Sequence, residues 1–170
     1  MKPASIGALF LALSASHQIA EAQTPISPCK FYEDLIAAAP EDFAPYRDQE
    51  IRPGIYVAKL HPAQFPICAT TARSAEASLL CYGVPGQETI VRPIYEIEQR
   101  RLLSCLQRWK KAPLLETDDP QIEMVEGVRF IRSTSDGELS LGAILAREKT
   151  GARLYRIGFV ILWKQVQPGA

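Results

Sequence analysis

Four cysteines are the residues of this 170-residue chain whose type and number most constrain its chemistry: Cys29, Cys68, Cys81 and Cys105. No Cys-x-x-Cys pair occurs, and no Cys/His spacing matches a zinc ligand set, so neither a redox motif nor a metal centre is indicated. An even count in a chain that opens like an exported protein reads instead as two disulfides. Histidine chemistry has one candidate beyond the first 22 residues, His61, in Leu60-His61-Pro62 between two expected strands. That placement suits a surface loop better than a general base. The sequence holds no Gly-x-Ser-x-Gly, His-Glu-x-x-His, Walker loop or Gly-x-Gly-x-x-Gly, and no cofactor is implied.

Carboxylate chemistry needs no histidine, because two acids can hydrolyse a glycoside. Glu96 and Glu98 share a helical segment but face different sides of it, and Asp118-Asp119 falls in a polar loop. Glu98 is the one acid expected on an apolar stripe. A carboxylate there must be paired, protonated or exposed. Its plain partner is Arg101 one turn on, and its sharper reading is a functional acid.

The chain start has the layout of a secretory leader over residues 1–22. Lys2 supplies the positive charge, an uncharged stretch of apolar and small residues follows, and Ala20-Glu21-Ala22 fits the small-x-small cleavage rule. The remainder, residues 23–170, is the size of a single domain. Lysine plus arginine equals aspartate plus glutamate at 19 each, which argues against nucleic acid or anionic membrane as the main partner. No later apolar run reaches the ~18 residues of a membrane span. Asparagine is absent and arginine exceeds lysine, a GC-rich codon signature that points to a bacterial periplasmic or secreted protein.

The elements that position these residues follow from period and punctuation. Ser27-Pro28 starts a helix whose apolar face is Tyr32, Leu35, Ile36 and Ala39, and Pro40 stops it. Residues 41–52 read as a loop and 54–60 as a strand. Residues 65–72 and 77–83 form a hairpin around Arg73-Ser74-Ala75-Glu76. Counting outward from that turn sets Cys68 opposite Cys81 at a narrow pair, where Cα atoms approach to about 4.5 Å. Cys29 then joins Cys105. A second helix is expected over residues 93–111, with Ile94, Ile97, Leu102, Cys105, Leu106 and Trp109 on its stripe. Strands follow at 128–133, 139–147 and 152–163.

The order α-βββ-α-βββ implies an α+β domain with two helices on an antiparallel sheet of about six strands. In the last strand Tyr155, Ile157, Phe159, Ile161 and Trp163 alternate with Leu154, Val160 and Leu162, apolar on both sides. This means a strand covered twice, with residues 113–125 as the second cover, or one that keeps a face for a partner. Val160, Leu162 and Trp163 are the candidate partner surface. The chain as a whole reads as a small exported non-enzymatic binding protein of inhibitor, immunity or assembly-factor type, with a protein partner. A carboxylate hydrolase and a structural subunit of an envelope complex are the competing readings.

Overall fold

The computed structural model describes residues 27, 29–60, 65–73, 75–114, 121–149 and 151–166. The leader, His61, the acids at 118 and 119 and the helix-starting Pro28 lie outside the described residues.

Helix α1 (Lys30–Ala38) buries Tyr32, Leu35 and Ala38. Ser27 Oγ accepts from the Cys29 backbone N–H at 3.2 Å, a local turn just ahead of the helix. Pro40 forbids another α-helical turn, and the chain tightens into a 3-10 turn at Ala39–Glu41. Asp42 and Phe43 then take the left-handed conformation, φ 55° and 59°, which branched and bulky residues rarely adopt. Two features hold it: the Phe43 ring is fully buried, and the Arg47 guanidinium donates to the Asp42 carbonyl at 2.6 and 3.1 Å.

The first four strands are β1 (Arg47–Arg52), β2 (Ile55–Ala58), β3 (Ile67–Arg73) and β4 (Glu76–Tyr82). Part of the expected 41–52 loop is therefore the edge strand β1, which is polar and almost wholly exposed and so lacks the alternation that marks a half-buried strand. Its turn into β2 is Pro53-Gly54. Gly54 sits at φ 72°, and a Cβ there would meet the Ala72 carbonyl oxygen at 2.7 Å.

Helix α2 (Glu88–Cys105) is shifted from the expected 93–111. Pro93 is not its first residue but lies in its second turn, on the exposed side. Its C-terminal end gives way to strand β5 (Lys110–Ala112), which pairs with β6 (Ile122–Ser133). The buried face is Val91, Tyr95, Glu98 and Leu102, while Ile94 and Ile97 of the expected stripe are exposed. Strands β7 (Gly137–Glu148) and β8 (Tyr155–Gln165) complete the chain.

The protein is thus an α+β fold with two helices and eight strands rather than six, in the order α-ββββ-α-ββββ. The eight strands form one antiparallel sheet ordered β1-β2-β3-β4-β8-β7-β6-β5. Each half is a helix followed by a four-strand meander, and the meanders join through their last strands.

Register places the core on one face. Ala77, Trp163 and Leu139 stand side by side across β4, β8 and β7, followed by Leu79, Ile161 and Leu141, then Cys81, Phe159 and Ala143. All nine are at most 5% exposed. Helix α2 lies over β7 and β8, and the first 3-10 turn lies against β8. The rings of Phe31, Tyr32 and Phe65 converge on Phe159 at 5.8–5.9 Å between centroids. Burying a ring such as Phe159 contributes roughly 2–3 kcal/mol.

Both disulfides carry the expected pairing, Cys68–Cys81 and Cys29–Cys105. Cys68 lies directly opposite Cys81 in the β3–β4 ladder with Cα atoms 4.1 Å apart, as the turn count requires. No helix among the described residues is long and apolar enough to cross a membrane.

Candidate functional site

The Cys29–Cys105 bridge ties the start of α1 to the end of α2, and the two helices meet the β6–β7 turn beside it. A cleft of about 510 Å³ opens at this junction. Its deepest lining is apolar: Leu106, Leu139 and Trp163, each at most 5% exposed, with half-buried Ile36 and Trp109 on the walls. Its rim is charged, with Glu33 on α1 and Arg132 and Asp136 on the β6–β7 side.

Each wall is set by local chemistry. The β6–β7 turn is fastened by Thr134, whose Oγ1 accepts from the backbone N–H groups of Asp136 and Gly137 at 3.3 and 3.2 Å. The Val166 N–H donates to the Asp136 carbonyl at 3.0 Å and anchors the turn to the end of β8. Gly137 makes room for the floor, since a Cβ on it would stand 2.5 Å from the Trp163 ring. Trp109 is held where α2 unwinds, its backbone N–H donating to the Leu106 carbonyl at 2.9 Å. The Arg132 guanidinium lies over the Trp109 ring, 4.8 Å from its centroid, a cation–π contact worth about 0.5–1 kcal/mol at an exposed site.

A second cavity of about 410 Å³ shares Cys105, Trp109 and Arg132 with the first and adds Ser104, Gln107 and Arg108. Cys105, Trp109 and Arg132 are therefore the shared wall of two adjoining compartments. Glu33 and Asp136 line only the larger one, and Arg108 only the smaller.

Glu98 lies deeper and away from the lining of either compartment. It is 1% exposed, and Tyr32 Oη donates to its Oε1 at 2.5 Å. Arg101 Nη1 stands 3.6 Å from Oε2. The expected Arg101 partner is present, but the closer contact is the phenol of the other helix. Burial first, and then the hydrogen bond to the Glu98 carboxylate, push the Tyr32 phenol far above its ordinary range. The arrangement joins α1 to α2 through a buried hydrogen bond.

The final-strand residues divide between the two faces. Trp163 is on the helix-covered face and floors the cleft. Val160 and Leu162 are on the opposite face, half-buried and 8% exposed. Residues 122–125, expected within a covering segment, belong instead to β6, in the plane of the sheet.

Sequence reasoning passed over Arg132, Glu33 and Asp136. Arg132 had a signal: in β6 the buried residues are Val128 and Phe130, so Arg132 continues the core-facing parity as a cation at the end of an apolar row. Among the described residues no group of three or more His, Cys, Asp or Glu is arranged to hold a metal ion. Comparisons of the chain with family models, curated proteins and solved structures return no match.

Proposed function

We propose that this chain is an exported binding protein that takes an apolar side chain of a protein or peptide partner into the cleft between α1, the end of α2 and the β6–β7 turn. The observation that carries the reading is the cleft itself, about 510 Å³ with an apolar floor and a few charged groups on its rim. That volume and polarity are those of ligand pockets in general, at roughly 300–1,000 Å³. Tryptophan and arginine at its mouth are the residue types that most often carry binding energy at interfaces. Two disulfides support an oxidising compartment, in keeping with the leader-like residues 1–22. Glu98 is turned toward Tyr32 and Arg101 instead of the cleft, which gives the carboxylate-hydrolase reading no support.

Selection of a displayed random-peptide library on the oxidised protein tests this. Enriched peptides are expected to share an apolar residue and to lose binding to Ile36→Asp and to Trp109→Ala. Peptides that bind both variants as well as the parent would remove the cleft from the function.

A further inference from the structure

The two compartments on either side of Trp109 differ in charge. Among the described residues the larger one has two acids and one arginine on its rim, whereas the smaller is lined by Arg108 and Arg132 and by no acid. Six of the described arginines are paired: Arg47, Arg92, Arg101, Arg129, Arg147 and Arg156 each have a carboxylate oxygen within 3.8 Å. Arg108 and Arg132 have no carboxylate within salt-bridge distance among the described residues, as is also true of Arg52, Arg73, Arg100 and Arg153, which line neither compartment. Arg132 is in addition held in place on the Trp109 ring. A guanidinium fixed on an aromatic face keeps its fork of N–H donors available at its edge, which suits a planar carboxylate better than a point charge would.

We infer that the groove formed by Arg108, Arg132 and the edge of Trp109 is a carboxylate subsite, and that the partner is an acidic peptide segment. It would carry an aspartate or glutamate next to the apolar residue that enters the larger cleft. The inference rests on the binding role proposed for that cleft and adds the chemistry of its occupant. Charge complementarity selects the ligand: an acid is attracted at the arginine side of Trp109 and repelled by Glu33 and Asp136 at the far rim, so the acidic side chain is placed on the arginine side.

Both tryptophans of the chain, Trp109 and Trp163, line the cleft, so intrinsic emission reports on it directly. The oxidised protein is titrated with acetyl-Phe-Glu-Glu-amide and with acetyl-Phe-Gln-Gln-amide, by emission and by calorimetry. The acidic tripeptide is expected to bind about tenfold more tightly, and ~0.5 M salt to remove most of that advantage. Arg108→Gln, which touches only the smaller compartment, should erase several-fold of the preference while leaving the affinity for the glutamine peptide close to the parent's, and Arg132→Gln should erase the preference as well. Arg132→Lys should restore the preference only in part. Equal binding of the two peptides to the parent protein overturns the carboxylate subsite and leaves the cleft's binding role standing. If neither peptide binds at ~1 mM, both readings fall. Inorganic phosphate or phosphatidylglycerol vesicles that displace the acidic tripeptide at lower concentration would show a phosphate-bearing ligand instead, which also overturns the inference.

Discussion

The two halves of this sheet are built in the same order from unequal material. Strands β1–β4 have 6, 4, 7 and 7 residues, whereas β6, β7 and β8 have 12, 12 and 11. The long strands bury Phe130, Leu141, Leu145, Ile157, Phe159 and Ile161 among others. The short ones bury Ala58, Ala77, Leu79 and the Cys68–Cys81 bridge, with a single large aliphatic among them. A module with little apolar volume gains little from burial, and small folds offset that with covalent staples. The meander whose strands bury little apolar volume is the one with a disulfide inside its own sheet. The other bridge has a different task, because Cys29 and Cys105 join the helices of the two halves at a partly exposed site on the cleft wall.

Cutting the bridges one at a time is the strongest way to break this comparison. Replacing Cys29 and Cys105 by serine releases a loop with a sequence separation of 76. On the chain-entropy account this costs about 4 kcal/mol, read as lost stability in urea unfolding. Replacing Cys68 and Cys81 by alanine releases a separation of only 13. That should cost about 3 kcal/mol, concentrated where the core is thin. Amide exchange should therefore accelerate in β1–β4 well before it does in β6–β8. Uniform acceleration across the whole sheet would show that the halves do not differ in the way their side chains imply. Graded dithiothreitol should open Cys29–Cys105 first, since Cys68 and Cys81 are 4% and 0% exposed and a thiolate must reach the sulfur it attacks.

The hydrogen bond between Tyr32 and Glu98 joins the same two helices without a covalent link, and its loss should be smaller. Tyr32→Phe leaves a buried carboxylate without its nearest donor, at a cost of about 1.5–3 kcal/mol. Its pH dependence sharpens the assignment. The folded protein holds the Tyr32 proton far above the unfolded value of about 10, and burial pushes Tyr95 up to about 12. A raised folded-state pKa means stability that is fully present below pH ~10 and is lost as pH rises beyond it, at up to about 1.4 kcal/mol per pH unit for each group. Unfolding free energies measured between pH 7 and 11.5 should fall above ~10, and Tyr32→Phe should flatten part of that fall. An unchanged alkaline slope in the variant would mean that the Tyr32 proton is not what the pair retains.

Legibility in the sequence followed the same division. The hairpin register came through because its turn is short and a cystine pair is demanding: Cys68 faces Cys81 only if Arg73-Ser74-Ala75-Glu76 is centred as counted. The long strands came through because their apolar runs are long, although β6 was expected only over 128–133 and starts at Ile122. Two strands escaped notice for physical reasons. β1 is an exposed polar edge with no apolar parity, and β5 is three residues, Lys110–Ala112, whose nearest pairing partner, Arg129, lies 17 residues beyond Ala112. Of the cleft, Trp109 and Trp163 were noticed as apolar stripe members. Their opposition to Arg132 depends on the end of α2 meeting the end of β6, a tertiary fact that no local period encodes.

The smallest expected effect bears on α2, where only part of the expected stripe is buried. Ile90, Ile94 and Ile97 recur at helical spacing and look like a core stripe, yet they are 62%, 38% and 44% exposed. The stripe that packs against β7 and β8 is displaced by one residue, about 100° around the axis, to Val91, Tyr95, Glu98 and Leu102. The expected stripe is right at Leu102, Leu106 and the discordant Glu98, all buried, and fails at Ile94 and Ile97, whose places are taken by Val91 and Tyr95; the partner that makes Glu98 tolerable there, Tyr32, comes from the other half of the chain. Ile94→Ser and Ile97→Ser should each change stability by no more than about 0.5 kcal/mol, as surface substitutions do. Leu102→Ala, on the displaced stripe, should cost about 2–5 kcal/mol. A loss above about 2 kcal/mol for Ile97→Ser would turn α2 back onto its more apolar face, and Glu98 would then lose the contact that joins the two halves.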